Sequence, residues 1–331
     1  MLVRISSGKH FDATGDDTLL DAAHRANVTL PYSCKTGRCS TCKGKVRGGE
    51  TFALHDELGL TAEERQAGWI LTCVRSAASD VHLEIDDLGD TVIHPVRTLA
   101  CRIQSLSRPA PDVLKVVLRF PPASELKFQP GQYVDVIGHG GLRRSYSIAN
   151  APMADKLVEL HIRQVPGGAM SEYWFERAQV NDLLRVNGPL GTFFLRDIAD
   201  RDVIFLATGT GIAPVKAMLE GLAVRISETH APRSVSIFWG GRQLEDLYWN
   251  PAAVGVVHRF VPVLSRAPAE WQGVRGHVQH AALARHPDLT NTVVYACGSD
   301  QMIHSARGDL MRAGIDRSHF HSDAFVCSAS A

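Results

Sequence analysis

The sequence lacks the features that would place it in a membrane, secreted or nucleic-acid-binding class. Among its 331 residues, no apolar run approaches the roughly 18 residues needed to cross a bilayer. The amino terminus has no basic stretch followed by an apolar one, so no signal peptide is expected. Lys plus Arg number 35 and Asp plus Glu also number 35, which favours neither a nucleic acid nor a membrane surface as a partner. We therefore expect a cytoplasmic protein with no nucleic-acid partner and no membrane attachment.

The seven cysteines form no paired framework of the kind that secreted proteins use. Three lie in one short segment and a fourth lies far downstream: Cys34, Cys39, Cys42 and Cys73. The spacing Cys-x4-Cys-x2-Cys with a distant fourth cysteine is typical of a plant-type ferredoxin, in which the thiolates hold a [2Fe-2S] cluster. Small residues between the ligands let the backbone wrap closely around the sulfurs: Gly37, Ser40, Thr41 and Gly44. The alternatives are disulfides and a zinc site, although zinc sites normally show two close cysteine pairs.

Residues 1–92 are predicted to form a compact, β-rich module around this cysteine segment. Thr18 precedes an apolar helical stripe as a plausible N-cap, and Thr61 with Glu64 forms a capping-box pattern at another helix start. Residues 81–85 alternate apolar and polar side chains, which indicates a half-buried strand. The whole chain is too long for one small core and suits two or three domains.

Residues 96–198 show short alternating strands separated by Pro and Gly. The clearest are 113–120, 133–137 and 158–163. Short strands at this spacing predict an antiparallel β-barrel.

After residue 200 the pattern changes to buried strands separated by helical stretches. Residues 203–207 are a continuous apolar run, 235–239 and 293–296 are further buried-strand candidates, and a helical pattern begins near Ala213. This alternation predicts a parallel sheet covered by helices over residues 200–331.

Residues 143–150 read Arg-Arg-Ser-Tyr-Ser-Ile-Ala-Asn and resemble the Arg-x-Tyr-Ser signature of the ferredoxin-NADP reductase superfamily. The resemblance implies that Arg144 holds the flavin diphosphate and that Tyr146 packs on the isoalloxazine ring. It also implies that Ser147 lies near the reactive edge of the ring, with Ser145 in the same flavin-binding strand. Without the resemblance, this segment would be read as a surface strand.

Residues 161–171 resemble the next flavin-binding segment of that superfamily, in which a glycine turn opens a helix and its N–H groups receive the pyrophosphate. The residues that the resemblance assigns to the flavin are His161, Ile162, Gly168, Met170 and Ser171. A plain loop followed by a helix start is the alternative.

Residues 208–215 follow a buried strand and open a helix, as a dinucleotide-binding segment does. They do not carry the Gly-x-Gly-x-x-Gly fingerprint, which excludes a standard Rossmann motif. The superfamily binds the nicotinamide nucleotide here, and the resemblance assigns that role to four residues: Thr208, Gly209, Thr210 and Gly211.

Two further segments complete the resemblance. In the superfamily a cysteine-glycine pair at a strand end lies beside the nicotinamide, which corresponds to Cys297 and Gly298. An aromatic residue near the carboxyl terminus covers the flavin face, which corresponds to Phe325. The resemblance therefore gives Ser147, Cys297 and Phe325 the positions beside the reacting rings. Cys297 as a buried small side chain and Phe325 as a plug between domains are the alternatives.

The motifs occur in the order of the single-chain iron–sulfur flavoprotein reductases that carry an amino-terminal ferredoxin domain. The implied fold is multidomain, α+β and α/β. It comprises a plant-type ferredoxin (β-grasp) module over 1–92, an antiparallel β-barrel flavin domain over 96–198 and a parallel-sheet α/β nucleotide-binding domain over 200–331. Two branches are similar in style, the CDP-6-deoxy-Δ3,4-glucoseen reductases and the reductase components of ring-hydroxylating dioxygenases of the naphthalene type.

The resemblance implies an oxidoreductase that passes electrons from NAD(P)H through FAD and a [2Fe-2S] cluster, one at a time, to a separate acceptor protein. We expect FAD rather than FMN, NADH rather than NADPH, and an oxygenase component as the acceptor. A CDP-sugar dehydrase is the alternative acceptor, and a redox-sensing flavoprotein is the alternative function. Five basic residues near the cluster ligands are read either as a solvated loop or as a docking surface for an acidic acceptor: Lys35, Arg38, Lys43, Lys45 and Arg47.

Overall fold

The computed structural model describes residues 1–89, 91–225 and 231–325 of the chain. They divide into two compact units, one comprising Met1–Val92 with the residues from Asp323 on, the other comprising Ile93–Ser322. Cys327 lies outside the described residues. Within those residues, no helix is both long enough and apolar enough to traverse a bilayer.

The first unit is built on a mixed five-stranded sheet. Its elements are β1 (Leu2–Ile5), β2 (His10–Asp12), α1 (Leu19–Arg25), β3 (Lys43–Gly48), β4 (Thr51–Ala53), α2 (Ala62–Gln66), β5 (Trp69–Leu71), β6 (Arg75–Ala77) and β7 (Val81–Glu84). The strand order is β2-β1-β7-β3-β5, with β1 and β7 parallel, and β4 pairs with β6 in a separate ribbon. The apolar face of α1 is buried with the sheet in one core, as a β-grasp module requires.

Both predicted helix starts in this unit are confirmed. Thr18 caps α1 by accepting a hydrogen bond from the Asp21 N–H at 3.0 Å. Thr61 and Glu64 form a complete capping box at α2, with the two reciprocal bonds at 3.2 and 3.1 Å. These local bonds fix where the chain turns on either side of the cysteine segment.

The second unit begins with a six-stranded antiparallel barrel. Its elements are β8 (Arg97–Ala110), β9 (Val113–Arg119), β10 (Tyr133–Ile137), β11 (Arg143–Ser147), β12 (Val158–Arg163), α3 (Ala169–Glu172), a π-helical turn (Tyr173–Arg177) and β13 (Leu183–Leu190). The order is β11-β10-β13-β8-β9-β12, and a bridge between Ile148 and Leu160 joins the first edge to the last. The predicted barrel is therefore confirmed.

A parallel sheet with helices follows the barrel. Its elements are β14 (Asp202–Thr208), α4 (Ile212–Arg225), β15 (Ser234–Gly241), β16 (Arg259–Leu264), β17 (Val274–Arg275), α5 (Val278–Leu283), β18 (Thr292–Ser299), α6 (Asp300–Arg312) and β19 (Phe320–Phe325). The order is β17-β16-β15-β14-β18-β19. The central strands β14, β15 and β18 are buried along almost their whole length, as predicted. Their carboxyl ends therefore meet at one edge of the sheet.

Candidate functional site

The four predicted ligands converge in the first unit. Cys39, Cys42 and Cys73 are buried, whereas Cys34 is partly exposed. The thiols interact as two pairs, because Cys39 hydrogen-bonds Cys34 and Cys42 hydrogen-bonds Cys73. Two pairs of sulfurs fit two irons, each holding two cysteine ligands. The distant Cys73 is thus brought to the short segment, as predicted.

The backbone of the loop is shaped to face the sulfurs. The N–H groups of Thr36 and Cys39 both point at the Cys34 sulfur, at 3.4 Å. Gly37 has a φ of 71°, and a Cβ there would lie 2.3 Å from the Asp56 carbonyl oxygen. Only glycine therefore fits this turn, and N–H groups aimed at sulfur stabilise the negative charge of thiolate ligands.

The chemistry of the ligand set also fits a bound cluster. The hydrogen bonds that Cys39 and Cys42 donate, and then their burial, raise the pKa of both thiols. Thiolates at these positions therefore require a bound cation, which the irons of a [2Fe-2S] cluster provide. Over residues 1–89, 91–225 and 231–325, no three His, Cys, Asp or Glu side chains are spaced to hold a single metal ion.

The predicted flavin strand is β11, at one edge of the barrel. Arg144 is exposed, and its guanidinium donates a hydrogen bond to the Arg143 carbonyl oxygen at 2.7 Å. Tyr146, on the same strand face, packs against the barrel core, and burial raises its pKa to about 12. Ser147 is buried at the end of the strand. The strand thus offers an available cation and an aromatic ring on one face.

Two neighbouring side chains of the motif are engaged within the barrel. Ser145 donates a hydrogen bond to Asp135 at 2.5 Å. Arg143 pairs with Asp135 at 3.0 Å and donates to Asn187 at 2.6 Å. A flavin contact by Ser145 therefore remains a prediction that its hydroxyl, as placed here, does not support.

The second predicted flavin segment leads into α3. Gly168 is the N-cap of α3, and Ser171 accepts a hydrogen bond from the Val165 N–H at 2.8 Å, which closes the turn between them. Met170 is only 2% exposed as a whole residue and belongs to the barrel core, so its contact with the flavin remains a prediction.

His161 and Ile162, predicted to flank the adenylate, are both buried on β12, and that role remains a prediction. Ile162 is 1% exposed in the barrel core. The His161 ring is buried, with its Nε2 atom 2.9 Å from Glu159 and its Nδ1 atom 3.0 Å from the Tyr248 hydroxyl. Both ring nitrogens are occupied, so His161 acts here as part of a buried polar cluster on β12.

The predicted nucleotide segment forms a 3₁₀ turn over Gly209–Gly211, between β14 and α4. A Cβ on Gly211 would lie 2.2 Å from the Cys297 carbonyl oxygen, and a Cβ on Gly298 would lie 2.1 Å from the Thr208 hydroxyl oxygen. The structure therefore brings the ends of β14 and β18 into direct contact. These glycines allow this close approach beside the amino terminus of α4, and the predicted contact with the dinucleotide remains a prediction.

The remaining predicted residues are more enclosed. Thr210 and Cys297 are buried, and the Cys297 side chain is 0% exposed, as a small core residue would also be. Phe325 ends β19 and belongs to the first unit together with Asp323, whose carboxylate accepts a hydrogen bond from Ser33 at 2.5 Å. Ser33 directly precedes the ligand Cys34. The roles of Cys297 and Phe325 beside the reacting rings remain predictions.

Three residues near these sites were missed by sequence reasoning. The Trp174 indole N–H donates to the Tyr146 hydroxyl at 3.0 Å. The Arg163 guanidinium lies over Gly209, 2.6 Å from where a Cβ would be. Lys216 on α4 is nearly buried. Of these three residues, only Lys216 could have been noticed from the sequence, because it is a charged residue in the otherwise apolar stretch that follows the nucleotide segment.

Three family models match successive parts of the chain, in the predicted order. They are the 2Fe-2S iron-sulfur cluster binding domain over residues 3–78, the oxidoreductase FAD-binding domain over 100–195 and the oxidoreductase NAD-binding domain over 205–308. The cofactors [2Fe-2S], FAD and NAD(H) are thereby confirmed.

Whole-chain relatives agree with this order. The chain is 39% identical over 326 residues to the CDP-6-deoxy-L-threo-D-glycero-4-hexulose-3-dehydrase reductase of Yersinia pseudotuberculosis, covering 97% of each protein. It is 30% identical to reductase component 1 of the terephthalate 1,2-dioxygenase of Comamonas, covering 96% of this chain and 95% of that one. The crystal structure of the Amycolatopsis cytochrome P450 reductase GcoB has 31% identity and a TM-score of 0.75, with 99% of each chain covered. This chain therefore belongs to the family of NAD(P)H-dependent iron–sulfur flavoprotein reductases with an amino-terminal ferredoxin domain.

Proposed function

We propose that this protein takes a hydride from NADH and delivers the two electrons singly to a separate acceptor protein, which docks where Cys34 reaches the surface. The observation that carries this proposal is the unequal burial of the cluster ligands, with Cys34 partly exposed and the other three sulfurs buried. Electron transfer to a protein partner needs the cluster close to a surface, and Cys34 is the most exposed of its four ligands.

We propose that the flavin is held on β11 and at the start of α3, and that the nucleotide is held between β14 and β18. Arg144 would bind the diphosphate through its available guanidinium, and Tyr146 would pack on the ring. The turn at Gly209–Gly211 would receive the nucleotide phosphates. FAD supplies the conversion of a two-electron hydride into single electrons, and the protein positions it.

We propose NADH as the preferred nucleotide. At the end of β15, Asp246 accepts hydrogen bonds from the N–H groups of Arg242 and Gln243, at 2.6 and 3.1 Å. A carboxylate that follows a sheet strand suits a ribose hydroxyl and repels a 2′-phosphate. A kcat/KM for NADPH equal to that for NADH would contradict this preference.

A CDP-sugar dehydrase is the first candidate acceptor. The 39% identity to the Yersinia dehydrase reductase exceeds the 30% identity to the dioxygenase reductase component. An oxygenase component, the acceptor expected from the sequence motifs, is the second candidate. It is supported by the dioxygenase relative and by the TM-score of 0.75 to the reductase GcoB.

The test compares two electron acceptors in the purified holoenzyme and in a Cys39→Ser variant. Ferricyanide takes electrons from flavin directly, whereas cytochrome c depends on the cluster in this proposal. We expect the variant to keep its FAD and its NADH–ferricyanide activity and to lose at least about tenfold in cytochrome c reduction. Slow turnover of the wild-type protein with every acceptor would contradict the proposal and favour a redox sensor.

The acceptor is then identified by reconstitution. In one reaction, the enzyme and NADH are combined anaerobically with a CDP-sugar dehydrase and its hexulose substrate. In the other, they are combined in air with an oxygenase and an aromatic substrate. Product formation with one partner and not the other assigns the acceptor. We also propose a cytoplasmic location, because none of the six cysteines within residues 1–89, 91–225 and 231–325 forms a disulfide.

A further inference from the structure

One ion pair on α4 holds both sides of a peptide segment that follows the flavin strand. Lys216 and Glu220 are one helical turn apart and pair at 2.7 Å. Lys216 donates a hydrogen bond to the Ala149 carbonyl oxygen at 2.9 Å, and Glu220 accepts one from the Ala151 N–H at 3.0 Å. The pair therefore bonds one acceptor and one donor of the same short loop.

The held loop, residues 149–151, has little freedom of its own. The Asn150 side chain donates to the carbonyl oxygens of Ala151 and Leu157 at 2.9 and 3.0 Å, and accepts a bond from the Glu159 N–H at 2.8 Å. The Ala149 N–H donates to the Glu159 carbonyl oxygen at 2.8 Å. A displacement of α4 is therefore passed to the loop as a unit.

A second carboxylate ties the same lysine to the barrel. Glu159 on β12 lies 3.1 Å from the Lys216 Nζ atom, and it also contacts Lys115 at 2.8 Å and His161 at 2.9 Å. The Lys216 and Glu159 side chains are only 11% and 13% exposed. Burying charges costs free energy that a hydrophobic contact would avoid, so such clusters are better at fixing one geometry than at adding stability.

The two ends of this connection are the two proposed reaction sites. Ala149, whose carbonyl oxygen accepts the Lys216 hydrogen bond, is two residues after Ser147, which ends the flavin strand. Lys216 is four residues after Ile212, where α4 begins directly behind the nucleotide turn. Hydride transfer is steep in distance, and a misplacement of about 1 Å can cost about a hundredfold in rate.

We propose that Lys216 and Glu220 are positioning residues for hydride transfer, which set the spacing between the nucleotide turn at the start of α4 and the flavin edge beside Ser147. This inference rests on the flavin and nucleotide sites of the proposed function. The pair itself takes no proton and no electron. The hydride carries two electrons and a proton from the nicotinamide to the flavin.

The test is Lys216→Met, which removes the charge and the donor but keeps an unbranched stem of similar length. Flavin reduction by NADH is followed anaerobically in the holoenzyme by stopped-flow absorbance at several NADH concentrations. This separates the limiting rate from the dissociation constant of NADH. The amplitude reports bound FAD, and NADH deuterated at the transferred position reports whether hydride transfer limits the rate.

We expect the limiting rate to fall by about tenfold or more, with full amplitude, a retained isotope effect and an NADH dissociation constant within about threefold of the wild type. Arg312→Met is the matched control, because it removes an exposed cation that pairs with Asp309 at 2.6 Å on α6. This control is expected to reduce flavin at the wild-type rate.

An unchanged limiting rate in flavin-loaded Lys216→Met would overturn the inference, as would an equal loss in Arg312→Met. If Lys216→Met does not hold FAD, Glu220→Gln decides, because glutamine still accepts the Ala151 N–H but gives up the ion pair. We expect Glu220→Gln to lower the limiting rate by about threefold, and no change there would overturn the inference. Failure of the proposed function would look different, since the wild-type flavin would then not be reduced by NADH.

Discussion

Tyr146 is held from behind by a side chain that the flavin motif does not include. Trp174 meets it edge-on, with ring centroids 6.2 Å apart and an angle of 84°, and donates its indole N–H to the Tyr146 hydroxyl. Trp174 lies in the π-helical turn Tyr173–Arg177, a local widening of the helix that often accompanies functional sites. Because the hydroxyl accepts this bond, its own proton stays available for a ligand.

Replacing Trp174 by Phe removes the donor and keeps an aromatic ring. The lost hydrogen bond removes about 1 kcal/mol of support for the position of the Tyr146 ring, and because FAD binding would then have to fix that ring, we expect FAD to bind up to about fivefold more weakly. We also expect the visible absorption bands of the flavin to shift, since Tyr146 is no longer fixed. Titration of the apoprotein with FAD measures both effects.

The control for this prediction is Trp271→Phe. It removes an indole hydrogen bond of 3.1 Å to the Val274 carbonyl oxygen elsewhere in the same unit. An equal loss of FAD affinity in the control would mean that the effect is general destabilisation.

Gly37 sets a steric limit on the cysteine loop. A Cβ at this position meets the Asp56 carbonyl oxygen at 2.3 Å, so Gly37→Ala has to push the loop away from its neighbour. We expect the variant to lose most of its iron and its cluster absorbance while retaining FAD. Gly8→Ala is the control, because Gly8 also has a positive φ, 84°, but its Cβ would meet no atom within 4 Å. It should cost only about 1 kcal/mol. Equal iron contents in the two variants would contradict this prediction.

At the scale of elements, strand β12 carries a pH-sensitive cluster. Burial opposes ionisation of Glu159, but hydrogen bonds from His161 and Lys115 and the charge of Lys216 outweigh it and hold the pKa of Glu159 at about 2, below its usual 4.5. The folded-state pKa is thus lowered. Its contribution to stability is therefore complete above about pH 4.5 and is lost as the pH falls towards 2.

We expect Glu159→Gln to lower the urea midpoint of the second unit near pH 6, and the difference from the wild type to shrink between pH 4.5 and pH 2. Flavin fluorescence follows the release of FAD during unfolding. Glu245→Gln, at an exposed position, serves as the control with no pH-dependent difference. A difference that stays constant across this pH range would exclude Glu159 as its source.

The elements that sequence patterns predicted well are those fixed by neighbours in the chain. The caps at Thr18 and Thr61 depend on residues three positions away, and the buried strands β14 and β18 depend on continuous apolar runs. His161 was harder, because its partner Tyr248 is 87 residues away and no local pattern records that contact. Motif resemblance assigned His161 to the flavin, and that role remains a prediction; the contacts of its ring with Tyr248 and Glu159 are visible only in the folded structure.

At the scale of the whole molecule, charge is balanced locally as well as in total. Three of the five basic residues near the cluster have acidic partners, since Lys35 pairs with Asp21, Lys43 with Glu64 and Arg47 with Glu84. Of the two interpretations of this segment, a solvated loop or a basic docking surface, these ion pairs favour the solvated loop.

We therefore expect acceptor reduction to depend weakly on ionic strength. The rate constant should change by less than about threefold between roughly 50 and 500 mM NaCl, because paired charges produce little long-range steering. Stopped-flow oxidation of the reduced cluster by the acceptor measures it. A fall in this rate constant of about tenfold or more would contradict the expectation and favour a charged docking surface. The same experiment with ferricyanide as oxidant controls for salt effects on the enzyme itself.

The order of the three cofactor-binding segments could be predicted from the sequence, because each is encoded by a short motif. The 2Fe-2S, FAD-binding and NAD-binding matches confirm that order. The link between Lys216 and Ala149 could not be predicted, since it joins a helix and a loop 67 residues apart by a single side-chain bond. Sequence motifs predict what each segment binds, whereas only the folded structure shows which distant residues each segment contacts.

The partial exposure of Cys34 has a cost for the resting enzyme. If the acceptor docks over Cys34 as proposed, the same opening would admit dioxygen and chelators to the cluster when no acceptor is bound. We therefore expect the absorbance of the bound cluster to bleach during storage in air, at a rate that falls when an acceptor is bound. An acceptor that stays bound between turnovers would protect the enzyme from this loss of the cluster.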